Sequence, residues 1–505
     1  VVEQNIQKGN QAVKKFDVII IGSGLGSLLC GYILSKEGMG VCILEKNKVA
    51  GGALQTFQRK GVTFDTGIHY IGGLEPGQNL HRYFHYFGLT DKLRLRRLNP
   101  DRFDVIGVEG KEYPLAQGFE NFKEQLLPHF PREGTAITNY ISKLQEIASV
   151  FPLYNLTVPG NHAKEQFLSQ SAFEYYQRLS SSSPLLQAVL SGNNFLYAGI
   201  KEQIPLHLPA LINHSFISSA WRPVEGSSQI ADLLIQSIQQ AGGLLITQSE
   251  VKQIDYQSAT FAVTDKKGEV FHSSYLISGI HPANTIEMVI SSLLRKSYTT
   301  RISNLQNTPG SFALYIVLKE KSFDYLDYNY YHQGSIDTWN QPSGQQWPGN
   351  YMLLTPDSED SGKFAKSLVV MTTLPFEEVA PWSGTFTGKR GADYLEFKGQ
   401  LADRLLARVE EKFPALRSKI AHLEISTPLT WRDYTGTPGG SMYGIQKDCH
   451  RPFETQVLPR TKVPNLFFTG QNINLHGVMG VTTGAVMTCG EIIGLNNLVN
   501  KINHG

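Results

Sequence analysis

The sequence predicts an α/β fold interrupted by a long α+β insertion, and three observations carry that reading. A short β-branched apolar run at residues 16–21 leads into a glycine-rich turn, and residues 27–36 then take helical spacing. Residues 40–45 return to a strand through Val41, Cys42, Ile43 and Leu44, which closes a βαβ unit of about 30 residues, the length such units need. Far along the chain, residues 466–498 repeat the order strand, glycine-rich turn, helix, so one architecture stands at both ends.

Between those ends the pattern changes. Residues 91–220 read as mainly helical, residues 228–240 as a helix through Ile230, Leu233, Leu234 and Ile238, and residues 242–254 as a strand pair opened by glycines. Residues 275–280 form a further buried strand. Residues 301–381 alternate in strand fashion (Phe312, Leu314, Ile316, Leu318, then Leu368, Val369, Val370, Met371), and residues 394–413 return to helix.

Composition narrows the function classes. The 505 residues are 41% apolar and 18% charged, which suits a folded globular chain. Lys plus Arg number 46 against 44 Asp plus Glu, so no basic excess points to a nucleic-acid partner. Four cysteines without a CxxC pair give neither a disulfide framework nor a thiolate metal site; no metal is expected, and a reducing, cytoplasmic setting fits. Residues 1–15 are polar, lack the apolar segment of a secretory signal and read as a disordered lead. Residues 18–35 are uncharged, yet Gly22, Gly24, Gly26 and Gly31 with three serines mark a strand turning into a helix, not a membrane span.

The turn itself, Gly22-Ser23-Gly24-Leu25-Gly26-Ser27, is a G-x-G-x-x-small motif. Missing side chains there let backbone N–H groups approach a pyrophosphate, although glycine turns also serve plain helix-on-strand packing. Glu45 sharpens the reading. It ends the second strand 21 residues after Gly24, where a carboxylate accepts from both ribose hydroxyls of an adenosine and repels a 2′-phosphate. FAD or NAD(H) is therefore favoured over NADP(H) at this site.

A second glycine pair, Gly51-Gly52, follows closely, then Gly61, Phe64, Asp65, Gly67, Ile68, His69 and Tyr70. The whole run, EKNKVAGGALQTFQRKGVTFDTGIHYIGG, resembles the second signature of the phytoene desaturase, carotenoid isomerase and retinol saturase superfamily, and FDTGIHYIG is most similar to the retinol saturase branch. TPLTWRDYTGTPGGSMYG at 427–444 and NLFFTGQNINLHGVMGVTTGAVMTCG at 465–490 resemble the closing segments of that superfamily.

The resemblance implies a glutathione reductase-like, Rossmann-like FAD-binding domain from residues 15–90, 225–285 and 455–505, with residues 91–224 and 286–454 forming the substrate cap. It implies FAD contacts at Gly22, Gly24, Leu25, Gly26, Ser27, Glu45, Lys46, Gly51, Gly52, Ala53, Gly67, Ile68, His69 and Val251. Later in the chain it adds Gly470 and Gln471 near the pyrophosphate and ribityl chain. Gly477, Val478, Met479 and Gly480 would open a helix whose dipole faces the electron-rich edge of the flavin. Three positions depart from the pattern: Ser27 replaces the third Gly or Ala, Ala53 stands where many relatives carry Arg, and Thr469-Gly470-Gln471 replaces the Gly-Asp common in desaturases.

The implied activity is hydride transfer to a lipophilic polyene or isoprenoid, most simply saturation, with NAD(P)H as an external reductant and peripheral membrane contact as the route to a water-insoluble substrate. Desaturation and isomerisation are alternatives, followed by flavin amine oxidation and by a non-catalytic lipid carrier resembling GDP dissociation inhibitors. Polyene reduction needs a proton source besides the hydride, and His69, Tyr70, Tyr443 and His476 are the candidates, against the plainer role of shaping the pocket. His81 and His85 share a helical face without a nearby carboxylate, and Cys30 and Cys42 read as small hydrophobes. Aromatic runs at 83–87, 173–176 and 325–331 would line a substrate tunnel or simply pack a core. The oligomeric state is not legible.

Overall fold

Strand β1 (Lys14–Ile21), helix α1 (Leu25–Lys36) and strand β2 (Val41–Leu44) form the expected unit, with Val18 to Ile21 and all of β2 buried. Their β-branched, uncharged sequence suits a strand covered on both faces. The computed structural model describes residues 14–158, 164–180, 182–197, 200–340 and 344–504. Residues 1–13 of the expected disordered lead lie outside that set, while Lys14 and Lys15 pair with Phe271 and His272 and belong to the strand, a correction to the lead's boundary.

The first sheet runs, in order, Leu244–Ile246, β2, β1, Val270–Ser278, Thr260–Asp265, Val251–Gln257 and Val289–Ile290, with Leu466–Phe468 paired to Val270–Ser278. The central long strand is shared. Its first half pairs antiparallel with Thr260–Asp265, and its second half pairs parallel with Leu466–Phe468 while β1 runs parallel along its whole length. The chain's distant end thereby lands beside its beginning. The two strands expected within 242–254 exist but do not pair with each other. Leu244–Ile246 joins β2 in parallel, and Val251–Gln257 pairs with Thr260–Asp265 through a tight turn at Ser258 and Ala259, both with positive φ.

The second sheet has the order Ile420–Ser426, Gly310–Leu318, Ser367–Leu374, Asn350–Leu354, Asn329–Gln333, Asp104–Val108 and Lys111–Leu115. The alternation read in Gly310–Leu318 decides its packing: Phe312, Leu314 and Ile316 meet Leu401, Leu405 and Val409 of the Ala392–Glu410 helix, and Ala313, Tyr315 and Val317 join the helical insert. The mainly helical reading of 91–220 needs correction at its start, where Leu95–Arg97, Asp104–Val108 and Lys111–Leu115 are strands. Asp104–Val108 is buried along its length and held by Asn329–Gln333, a partner more than 200 residues away that local periodicity cannot reveal. Among the described residues no helix is long and apolar enough to cross a membrane.

Candidate functional site

Glycine shapes the first half of the site by letting two backbones touch. A Cβ on Gly26 would stand 2.8 Å from both the N and Cα atoms of Gly470, and one on Gly52 would stand 2.9 Å from Gly24 Cα. Gly24 and Gly51 form a parallel bridge, and Gly51 N donates to Ser23 Oγ at 3.1 Å. The α1 helix starts at Gly24 with no side-chain cap and no acid in its first turn, so its leading N–H groups remain for an anion. Glu45 holds the loop in shape by accepting from Ser23 N (3.0 Å), Ser23 Oγ (2.6 Å) and Asn47 N (2.8 Å).

The departures from the superfamily pattern at Ser27 and Ala53 are accommodated. The buried Ser27 hydroxyl lies where a Cβ on Gly279 would collide with it, so a glycine opposite makes room for the larger residue. Ala53 packs on Gly67, where a Cβ would meet the Ala53 Cβ at 2.9 Å and Trp431 Cη2 at 3.0 Å. Lys46 does not turn toward that gap; its Nζ donates to Asp433 O at 3.0 Å, and burial lowers its pKa. Asp65, in the FDTG run, accepts from Ser227 N and Ser227 Oγ, each at 2.6 Å, and so ties the second glycine segment to the Ser228–Gln240 helix.

These elements border one cavity of about 630 Å³. Of the residues implied to contact a cofactor, all line it except Ser27 and Gly51, which brace its floor from behind. The opposite lip is the Gly477–Ile493 helix, preceded by His476, whose side chain makes no capping hydrogen bond, and with no acid in its first turn. An extended dinucleotide fits these residues: two uncapped helix N-termini face one groove, Glu45 sits where a ribose would lie, and space above Gly24 is open to 4 Å.

The cavity continues past the groove into an apolar arm. Leu208, Leu211, Ile212, Ser215 and Phe216 form one face of the His207–Ser218 helix, at the i, i+3, i+4, i+7, i+8 spacing of a single stripe. Phe195, Leu196, Tyr154, Met352 and Met371 complete the arm. None of these residues had been singled out, although the stripe was readable; what the sequence hides is which neighbour the stripe faces. The lining carboxylates Glu45 and Glu250 belong to the β2 end, near Lys46 and Ser249, and the third, Glu287, lies on the Pro282–Met288 helix, whose Asn284 donates to Gly436 O.

All four proton-source candidates line this cavity, in different states. Tyr70 Oη is engaged by Asp104 Oδ2 at 3.2 Å and Tyr331 Oη at 2.7 Å, its ring stacks on Phe216 at 4.2 Å, and burial raises its pKa well above the usual value. Burial also raises Asp104, to about 7. Tyr443 Oη donates to Phe195 O at 3.2 Å. His476 Nε2 lies 2.8 Å from Leu196 O, which can only accept, so Nε2 carries the proton. Burial first, then the Arg222 charge, lowers His69 to about 4, and its Nδ1 has no protein partner.

The aromatic runs do not line the cavity among the described residues, a correction to the tunnel reading. Tyr83, Phe84 and Phe87 are fully buried against α1 and the Leu495–His504 helix, Tyr176 packs on Tyr140 and Trp339, and Tyr330 and Tyr331 belong to the cores on the two sides of the second sheet. They are core because a large ring buried on all sides contributes more apolar area than one left at a cavity wall. His81 and His85 are stacked with centroids 6.4 Å apart. Asp448, Cys449 and His450 bring three ligand-type atoms within 4.8 Å of one another, but Asp448 pairs with Arg451 at 3.2 Å and Cys449 Sγ donates to Glu202 O at 3.4 Å.

Comparison with known proteins places these features in context. Residues 28–493 match the family described as flavin containing amine oxidoreductase. The all-trans-retinol 13,14-reductase of Homo sapiens is 28% identical over 98% of this chain and 88% of its own length. Prolycopene isomerase 2, chloroplastic, of an Oncidium hybrid cultivar is 23% identical over 94% of this chain and 84% of its own. Among solved structures, wild-type putrescine oxidase bound to putrescine superposes with a TM-score of 0.65 at 13% identity, covering 97% of this chain and 100% of that one, which is a likeness of fold.

Proposed function

The chain belongs to the flavin containing amine oxidoreductase family and is an FAD-dependent oxidoreductase, and from that premise we propose that it saturates a carbon–carbon double bond of a lipophilic polyene. The observation that carries the reading is the apolar arm opening directly from the dinucleotide groove. None of the arm residues is a carboxylate that would pair with an ammonium substrate. A long hydrocarbon gains from burial along the Leu208, Leu211, Ile212 and Phe216 stripe. The retinoid and carotenoid names of the curated relatives point the same way.

In this reading the sheet containing β1 and β2 holds the cofactor, and the cap sheet with the helical insert holds the substrate. FAD held by the residues lining the groove would supply two-electron hydride chemistry, with an external donor such as NAD(P)H as the source of the electrons. The protein's part is to orient, exclude water and handle the proton. Tyr70 and Phe216 form a stacked wall whose orientation is fixed by Asp104 and Tyr331. Among the described residues His69 makes no hydrogen bond through either ring nitrogen, and its neutral ring can donate at one nitrogen and accept at the other, passing a proton from water to carbon.

Anaerobic incubation of dithionite-reduced protein with a panel of retinoids and carotenoids, read by product mass, tests the proposal. A gain of two hydrogens is expected. Unchanged mass with altered retention would make the reaction an isomerisation, and amine turnover with peroxide release would replace the polyene reading altogether.

A further inference from the structure

The segment from Ser191 to Tyr197 is built unlike an ordinary loop. Ser191, Gly192, Asn193, Asn194 and Tyr197 are buried, while Phe195 and Leu196 are half-buried and line the cavity. Polar contacts fix the segment from behind. Ser191 Oγ lies 2.8 Å from Thr338 Oγ1, Asn194 Nδ2 donates to Thr338 O at 2.6 Å, Asn193 Nδ2 donates to Asn213 Oδ1 at 2.8 Å, and Gln333 Nε2 donates to Gly192 O. Gly192 must be glycine here, since a Cβ would run into Ile106. The backbone carbonyls of the two protruding residues are gripped from the other side. Tyr443 donates to Phe195 O and His476 to Leu196 O, and the two gripping rings stack with centroids 4.2 Å apart.

We propose that Phe195 and Leu196 are the specificity-determining wall of the active site, held at a fixed depth by the stacked Tyr443–His476 pair acting as positioning residues. The inference rests on the lipophilic-substrate reading above. The hydrogen bonds that fix the segment go to its backbone or to its buried polar side chains, so two apolar side chains are left to meet the substrate. The grip comes from two residues flanking the groove, and His476 also stands immediately before the Gly477–Ile493 helix, its side chain making no capping bond. The wall's depth is therefore set by the same chain segments that border the cofactor, which registers the substrate's bulk against the reacting centre. A hydrophobic wall of this kind discriminates by about 10- to 200-fold per methylene of misfit, enough to choose between substituted and unsubstituted double bonds.

The test uses the flavin-loaded full chain and two probes, all-trans-retinol and an analogue lacking one chain methyl, with kcat/KM measured for each. Phe195→Ala is expected to shift the ratio of the two values toward the bulkier probe by about tenfold, with flavin content and spectrum unchanged. Tyr443→Phe keeps the ring stacking and loses only the bond to Phe195 O; it should move the ratio in the same direction by about threefold, whereas Tyr443→Leu, which also loses the stacking, should move it further. Should Phe195→Ala fail to fold, Phe195→Leu carries the same expectation with a smaller shift. An unchanged ratio with both values falling together would overturn the wall's role and leave the polyene reading standing. Wild-type inactivity on both retinoids, together with amine turnover, would overturn the polyene reading and the selection of a polyene with it.

Discussion

The groove between Gly22 and Gly470 is shaped by backbone, with glycines where a Cβ would collide, whereas the arm along the His207–Ser218 helix is shaped by side chains drawn from distant segments. The first half works by absence and by hydrogen-bond donors that any peptide carries; the second works by apolar bulk. A groove of that kind fits the part of a ligand common to a whole family, and an arm of that kind can be revised residue by residue without disturbing it. The two halves should therefore fail separately when altered.

The largest effect is expected in the groove. Gly26→Val places a branched side chain on the Gly470 backbone, where the Cβ contact is already 2.8 Å, so the purified variant should carry no flavin and show no turnover. Retention of flavin by that variant would break the claim that close backbone approach builds the groove. His69 stands at the join between the halves. His69→Phe keeps the ring's bulk and should cost about 100-fold in kcat with flavin retained, the usual scale of a lost proton-transfer group; single-turnover kinetics would show it.

How much of this was readable follows the same divide. The β1–α1–β2 unit, Glu45 and the closing segment around Gly470 announce themselves because their chemistry is local: a strand, a turn and a helix within about 30 residues. The arm does not, because Leu211, Phe195 and Met371 meet only after the second sheet is assembled. The Asp104–Val108 strand was hidden for the same reason, its pairing with Asn329–Gln333 being tertiary, although Glu109-Gly110, both with positive φ, mark a tight hairpin turn right after it. Aromatic density was a poor guide: the rings at 83–87 went to the core, while the arm uses Leu, Ile and Met beside Tyr154, Phe195 and Phe216.

A milder change sharpens the comparison from the other side. Leu211→Ala removes a side chain from the arm's stripe and should raise KM for a polyene about tenfold while leaving flavin content unchanged, in line with the burial of a single leucine. Isothermal titration with a substrate analogue would check it, and a loss of flavin would blur the separation.

The smallest effect is on stability against pH. Burial holds His69, His207, His214, His332 and His476 near 4, below the ordinary imidazole value. Between about 6.5 and 4 the unfolded chain binds protons that the folded chain refuses, so their contribution is full above about 6.5 and declines on acidification. Asp65 and Asp104, raised to about 6 and about 7, act in the opposite sense, their contribution being lost as pH rises through those values. Five imidazoles outweigh two carboxyls in that window. The thermal midpoint is expected to fall as pH is lowered from 6.5 to 4.5, and a flat or rising midpoint would contradict the burial assigned to these rings.

Stopped-flow mixing of anaerobically reduced, flavin-loaded protein with all-trans-retinol addresses the central claim most directly. The account predicts return of the oxidised flavin absorbance at a rate that saturates with retinoid, yielding a product two hydrogens heavier. Absorbance that returns only on admitting air, or an oxidised protein bleached by amines, would contradict it.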